Sequence, residues 1–248
     1  MMNFIEKTNL PKGKVTTLIC GTDDESILSY FACKGITVIK NAANLGIDSS
    51  VSTHADMAAI HLGSDRIVID KDQAALSAEL RSHGMEVLGS ENSVTGEYPY
   101  DIGLNFAFVG NRILGKFCYA DCAFLKEAEG FERLEVKQGY CKCSTLVVSE
   151  NAIITDDEGI YRKASENGIE SLLIAKGDIS LEGHPYGFIG GASGKISKNT
   201  VLFFGDIKKH RYYKIISEFL SAHGCCFECT DEGALRDIGG IIPIIEEI

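Results

Sequence analysis

The sequence predicts an α/β ring of five ββαβ blades closed around a central channel. Three observations predict it. A helix-closing glycine followed by a short strand returns five times, a matching hairpin stands upstream of four of those glycines, and a fifth unit is split between the two ends of the chain.

The glycine marker reads Lys34-Gly35-Ile36, His83-Gly84-Met85, Glu129-Gly130-Phe131, Asn167-Gly168-Ile169 and His223-Gly224-Cys225. Glycine just past a helix end takes the left-handed conformation that stops the helix without a steric penalty. Spacings of roughly 40 to 55 residues are those of a repeat architecture. The hairpins follow in order. Ala58 to Leu62 turns at Gly63-Ser64-Asp65 into Arg66 to Ile69, and Leu104 to Val109 turns at Gly110-Asn111 into Arg112 to Leu114. Lys137 to Val148, a polar, cysteine-bearing strand start running into a β-branched strand, turns at Glu150-Asn151 into Ala152 to Ile154, and Lys195-Ile196 turns near Ser197-Lys198-Asn199 into Thr200 to Phe204. Gly, Asn, Ser and Asp are the residues that supply such turns. The fifth blade takes its first strand from Asp237 to Ile242, and its remainder from Val15 to Ile19 with a helix over 24–32. Pairing the two ends in one sheet removes exposed edges. With no linker and no shift in composition, residues 1–248 are expected to form a single domain.

The bulk numbers narrow the function. A net charge of −11 argues against nucleic acid, whose phosphates an acidic surface repels, and is compatible with a cationic small molecule. No apolar run is long enough to span a bilayer, and the first residues lack the layout of a signal peptide. The expected setting is the cytoplasm, with the nine cysteines reduced and most of them acting as small buried hydrophobes.

In such a ring the polar starts of the first strands converge on the axis. They are His54-Ala55-Asp56, Tyr98-Pro99-Tyr100-Asp101 leading to Asn105, Gln138 to Ser144, Gly190 to Lys195 with Ser193, and Asp237-Ile238-Gly239-Gly240. Cys143 is the candidate nucleophile, because thiolate is the strongest side-chain nucleophile near neutral pH and a histidine can serve its protons. Cys141, two residues away on the same strand face, competes with it. His54 and Asp56, also two apart on an expected strand, would share a face. Carboxylates pair a planar cation in a two-pronged fashion, so Asp56 and Asp101 are candidate clamps for a cationic ligand. Asn105, Asp237 and Ser193 are expected to line the same substrate site. A Cys-x-Cys with a histidine could also bind metal, but no second cysteine pair completes a closed zinc site, so no metal and no cofactor is expected. Gly190 to Lys195 lacks the spacing and the following helix of a phosphate loop.

The chain resembles the guanidine-group-modifying, or pentein, superfamily of arginine deiminases, dimethylarginine dimethylaminohydrolases and amidinotransferases. The resemblance rests on the five-blade pattern over nearly the whole chain, on His54-Ala55-Asp56-Met57 and on Gly139 to Thr145 with Cys143. It looks closest to an uncharacterised bacterial family of that fold. It implies Cys143 as nucleophile, His54 as general acid and base, and Asp56 as a holder of the substrate guanidinium. Because the superfamily's cysteine lies near the C-terminus and Cys143 lies mid-chain, the match requires a permuted ring. The superfamily's Glu-Gly-Gly-Asp signature is absent, with partial echoes at Asp237 to Gly240 and Gly190 to Ala192. Two readings follow. One is a C–N hydrolase or amidinotransferase working through a covalent cysteine intermediate. The other is a non-catalytic ring that binds a small molecule or a protein, as the ribosome anti-association factors of this fold do. Channel-facing Lys142 and Lys195 would favour the second.

Overall fold

Alternation along short strands sends apolar side chains to both faces of each blade, so each blade must pack against a neighbour on either side. A computed structural model describes residues 2–248. In blade 1, Ala59–Gly63 pairs antiparallel with Arg66–Ile69, which pairs parallel with Glu86–Gly89 beyond the helix Ala74–Ser82. Blade 2 repeats this with Ala107–Val109, Arg112–Gly115, the helix Cys122–Glu127 and Glu132–Glu135. Blade 3 uses Thr145–Ser149, Ala152–Thr155, the helix Glu158–Glu166 and Glu170–Leu173. Blade 4 uses Ser193–Ser197, Thr200–Phe203, the helix Tyr213–Ala222 and Cys226–Cys229.

Blade 5 is the split one. Its first strand, Ile242–Glu247, lies antiparallel to Lys14–Ile19, which runs parallel to Thr37–Ile39 after the helix Glu25–Cys33. The short strand Met2–Phe4 pairs antiparallel with Ile242–Glu247 on the edge opposite Lys14–Ile19. Aspartates at the helix starts do the capping: Asp24 accepts from the amides of Ser26 and Ile27, and Asp157 from those of Gly159 and Ile160.

Five apolar clusters fill the five blade interfaces. Ile60, Val68, Phe108 and Phe124 join blades 1 and 2, and Val109, Leu114, Val147 and Ile153 join blades 2 and 3. Leu146, Ile154, Phe203 and Leu220 join blades 3 and 4, and Leu18, Phe31, Leu202 and Phe204 join blades 4 and 5. Ile19, Ile244, Ile67 and Leu80 close the ring between blades 5 and 1. Neighbouring residues such as Leu146 and Val147 thus serve different interfaces, as a period of two requires.

Two expectations are corrected. Gly35, Gly84, Gly168 and Gly224 have positive φ, but Gly130 does not, because the blade 2 helix already ends at Ala128, ahead of it. The first strands also begin later than their polar starts. Blade 5 starts at Ile242 rather than Asp237, and blade 2 at Ala107 rather than Leu104. The intervening residues form turns instead, and those turns carry the site.

Candidate active site

Four of the five pre-strand turns meet at one cavity of about 700 Å³, within the range of small-molecule sites. His54 from blade 1, Asp101 from blade 2, Cys143 from blade 3 and Asp237 from blade 5 all line it.

Cys143 sits in a tight turn, not on a strand: Ser144 N donates to Tyr140 O at 2.9 Å, and Thr145 N to Lys142 O at 3.2 Å. Asn105 holds this turn from below. Its Oδ1 accepts from the amides of Lys142 (2.8 Å) and Cys143 (3.4 Å), and its Nδ2 donates to the Cys143 sulfur at 3.1 Å. Gly191 N donates to the Cys143 carbonyl at 3.0 Å, and a Cβ on Gly190 would overlap the carbonyls of Lys142, Cys143 and Thr145. The Cys143 thiol donates to Asp56 Oδ2 at 2.9 Å. Burial first, then the Asp56 and Asp237 charges, pushes this thiol well above its ordinary pKa, so it is protonated at neutral pH. Burial likewise raises Asp56, the other half of the pair.

His54 and Asp56 do not lie on a strand. His54 is the extended residue capping the short helix Ala55–Ala58, and Asp56 lies within that helix. The short helix brings Asp56 to the Cys143 sulfur without placing it in the cavity wall, while His54 lines the same cavity as Cys143. His54 Nδ1 has no hydrogen-bond partner and lies 3.8 Å from Asp237 Oδ1. Asp237 is held in turn by the amides of Phe188 (2.8 Å to Oδ2) and Gly239 (3.0 Å to Oδ1). Asp101 is almost fully buried; Oδ2 accepts from the Tyr140 hydroxyl at 2.6 Å and Oδ1 has no partner. Burial raises its pKa against the lowering effect of that bond.

The other residues expected at the site are placed differently. Ser193 is outside the cavity. It opens the first strand of blade 4, and its hydroxyl is taken by the Ile189 carbonyl at 2.6 Å. Asn105 lies behind Cys143 and does not line the cavity. Cys141 bonds the Gln138 carbonyl at 3.0 Å and packs in the core between blades 2 and 3, because a turn sends residues two apart in different directions. Neither Lys142 nor Lys195 lines the cavity, and Lys195 Nζ is spent on the Val148 carbonyl at 2.8 Å. Sequence reasoning gave Tyr140, within Gln138 to Ser144, no role of its own, and missed Phe188 and the outer wall from 46–51 and 181–188. The one available signal was the length of the connections before blades 1 and 4, which exceeds what a blade needs. Among the described residues, no group of three or more His, Cys, Asp or Glu side chains is arranged to hold a metal ion, and no helix is long and apolar enough to cross a membrane.

A family model described as a family of unknown function, DUF6873, matches residues 18–242. The chain belongs to this family. No curated protein matches the DUF6873 chain by sequence. Solved structures do match its fold. One is an inosamine-phosphate amidinotransferase from Streptomyces griseus, with 11% identity over 96% of either chain and a TM-score of 0.60. Another is a C. jejuni agmatine deiminase, with 15% identity over 95% of this chain and 94% of that one and a TM-score of 0.56. A third is the DDAH from Pseudomonas aeruginosa, complexed with citrulline, with 11% identity over 95% and 100% of the two chains and a TM-score of 0.53. The DUF6873 chain therefore has the pentein fold, and the structures it resembles are guanidino-group-modifying enzymes.

Proposed function

We propose that this DUF6873 chain is a cysteine-dependent enzyme acting on a guanidino or amidino small molecule through a covalent Cys143 intermediate. One observation carries the reading: the Cys143 sulfur lies between the Asp56 carboxylate and the Asn105 amide, in the wall of a cavity that also holds His54, Asp101 and Asp237. A neutral thiol flanked by buried carboxylates is a poor nucleophile until a cation arrives. A guanidinium in the cavity, beside the open Oδ1 of Asp101 and within the field of the Asp56 carboxylate behind Cys143, supplies that charge, lowers the cost of ionising the sulfur and presents its carbon.

The sulfur then bonds to the guanidinium carbon as its proton passes to His54. The carbon–nitrogen bond breaks, and His54 returns the proton to the departing amine. Water, in a hydrolase, or an acceptor amine, in a transferase, attacks the thioether carbon. His54 takes the attacking group's proton, the carbon–sulfur bond breaks and the thiol re-forms. Asp237 orients His54, Asn105 positions the sulfur, and Ser193 has no part.

The binding-ring reading would be favoured by lysines facing the channel; Lys142 and Lys195 do line a small pocket with Gly190 and Ile241, but neither lines the cavity that holds Cys143. The deciding experiment is labelling of the native protein with 2-chloroacetamidine and mapping of the modified site by mass spectrometry. Fast modification of Cys143 alone, lost in His54→Ala and Asp56→Ala, is the expected result. Slow labelling spread over the nine cysteines and indifferent to both substitutions would overturn it.

A further inference from the structure

We infer that Asp156, which lies outside the cavity, is a positioning residue for its chemistry: it anchors from behind the peptide segment that holds Asp237 near His54. This rests on the reading that Cys143, His54 and Asp237 act together. The turn ahead of blade 4, residues 187–193, brings a single side chain, Phe188, to the cavity wall. Its backbone reaches further into the site. Phe188 N donates to Asp237 Oδ2 at 2.8 Å, and Gly191 N donates to the Cys143 carbonyl at 3.0 Å. The Gly191 carbonyl accepts from Ile238 N at 3.0 Å and from Gly240 N at 2.8 Å, on either side of the Gly239 amide that bonds Asp237 Oδ1. A Cβ on Gly191 would lie 1.9 Å from that same oxygen, so the turn and the carboxylate are in close contact. A shift of the turn therefore moves Asp237, and with it the oxygen 3.8 Å from His54 Nδ1.

Behind the turn stands one carboxylate. Asp156 directly follows the blade 3 strand Ala152–Thr155, and its Oδ2 accepts from Ile189 N at 2.9 Å. The adjacent amides of Phe188 and Ile189 thus go to two buried aspartates. One lines the cavity, and the other lines a second pocket of about 620 Å³ together with Lys176. Lys176 adds a second hold, its ammonium standing 5.0 Å from the Tyr186 ring centroid and 5.5 Å from that of Phe188. Two further bonds stiffen the turn internally: Ala192 N to Phe188 O at 3.0 Å, and the Ser193 hydroxyl to Ile189 O at 2.6 Å. The tie through Asp156 is a costly one. Its Oδ1 has no partner, and burial, with the Asp237 charge adding to it, pushes the carboxyl up to about 7. The two acids therefore feel each other across the peptide they share.

The test is a double-variant cycle read by 2-chloroacetamidine labelling of Cys143, with melting temperature followed in parallel. Asp156→Ala should slow labelling by about tenfold or more, as a displaced reacting group does. Asp156→Asn, whose side-chain carbonyl can still accept from Ile189 N, should restore most of the rate. In an Asp237→Ala background Asp156→Ala should have little further effect, because the carboxylate it positions is gone, whereas a general loss of stability would add. Asp156→Ser, whose oxygen sits closer to the backbone, replaces Asp156→Ala if that variant does not fold. Full-rate labelling in Asp156→Ala, equal losses in the Ala and Asn variants, or additive losses in the cycle would overturn the inference while leaving the Cys143 pocket intact. Failure of the unaltered protein to label at Cys143 would overturn the pocket reading and this inference with it.

Discussion

At the scale of single residues, Cys143 and Asp56 share one proton, and the two are coupled in a way that gives opposite responses to opposite reagents. Removing the Asp56 charge removes a neighbour that raises the thiol pKa. In Asp56→Asn, a neutral alkylating agent such as iodoacetamide should therefore modify Cys143 faster at a fixed mildly alkaline pH. An amidinium reagent should modify it more slowly, having lost its counter-charge. Parallel pH–rate profiles with both reagents check this, and a change of the same sign for both would defeat the shared-proton account. Asn105→Ala makes a separate prediction. It strips donors and acceptors from the buried amides of Lys142 and Cys143 and from the Asp56 carbonyl. Stability should fall by about 1–3 kcal/mol, seen as a lower urea midpoint, because buried polar groups lose their partners. The residue types of this site were readable in the sequence, but their directions were not. Ser193 and Asp237 stand in similar polar starts, yet the Ser193 hydroxyl is taken by a local carbonyl outside the cavity, while the Asp237 carboxylate, held by the Gly239 and Phe188 amides, lies in the cavity wall 3.8 Å from His54. Which oxygen finds a local partner is decided by turn geometry, which residue identity does not encode.

At the scale of elements, the turns ahead of the first strands are held by close backbone approach. Gly239 has φ of +76°, and a Cβ there would lie 2.3 Å from the His54 Cβ. Gly239→Ala should strain the backbone by about 1–2 kcal/mol and displace His54. The expected outcome is a loss of Cys143 labelling by the amidinium reagent larger than the modest fall in melting temperature would suggest. An unchanged labelling rate would show that His54 does not depend on this turn. Hairpins and helices were readable because turn glycines, β-branched runs and capping aspartates agree locally. The late strand starts were not, because residues such as Leu104 and Ile238 are apolar enough to extend a strand pattern while their backbone is already engaged in turns: Ile238 N, for example, donates to Gly191 O at 3.0 Å.

At the scale of the whole molecule, buried and surface aspartates pull stability in opposite directions with pH. Burial raises Asp156 to about 7, and Asp56, Asp70 and Asp101 are raised as well. The folded state therefore binds more protons than the unfolded one above the ordinary carboxylate range, and this stabilisation is lost as pH rises through about 7. For Asp156 alone it is of the order of 4 kcal/mol. Asp178 and Asp231 are lowered to about 2, chiefly by hydrogen bonds from Arg211 and Arg236, and their contribution disappears as pH falls toward that value. Burial also lowers His61 from 6.5 to about 4 and lowers His210, so below about pH 6.5 the unfolded imidazoles take up protons that the folded ones do not, and stability falls toward pH 4. Maximum stability is thus expected between these ranges, near pH 5–6. The urea midpoint should fall from pH 6 to pH 7.5, with the fall reduced in Asp156→Asn, and a rise over that interval would contradict the assignment. The ring itself was readable from the split fifth unit, since only closure gives both ends a partner strand. That closure also has a mechanical side. Met2 pairs with Glu247 and Lys14 with Glu247, so both ends of the chain leave the sheet from the same end of antiparallel pairs. A pull on the two termini would load these bonds one after another, as a zipper is loaded, rather than all together in shear. The fastening would part at low force, starting from the tip farthest from Asp237, and the cavity would be the last place along that seam to feel it.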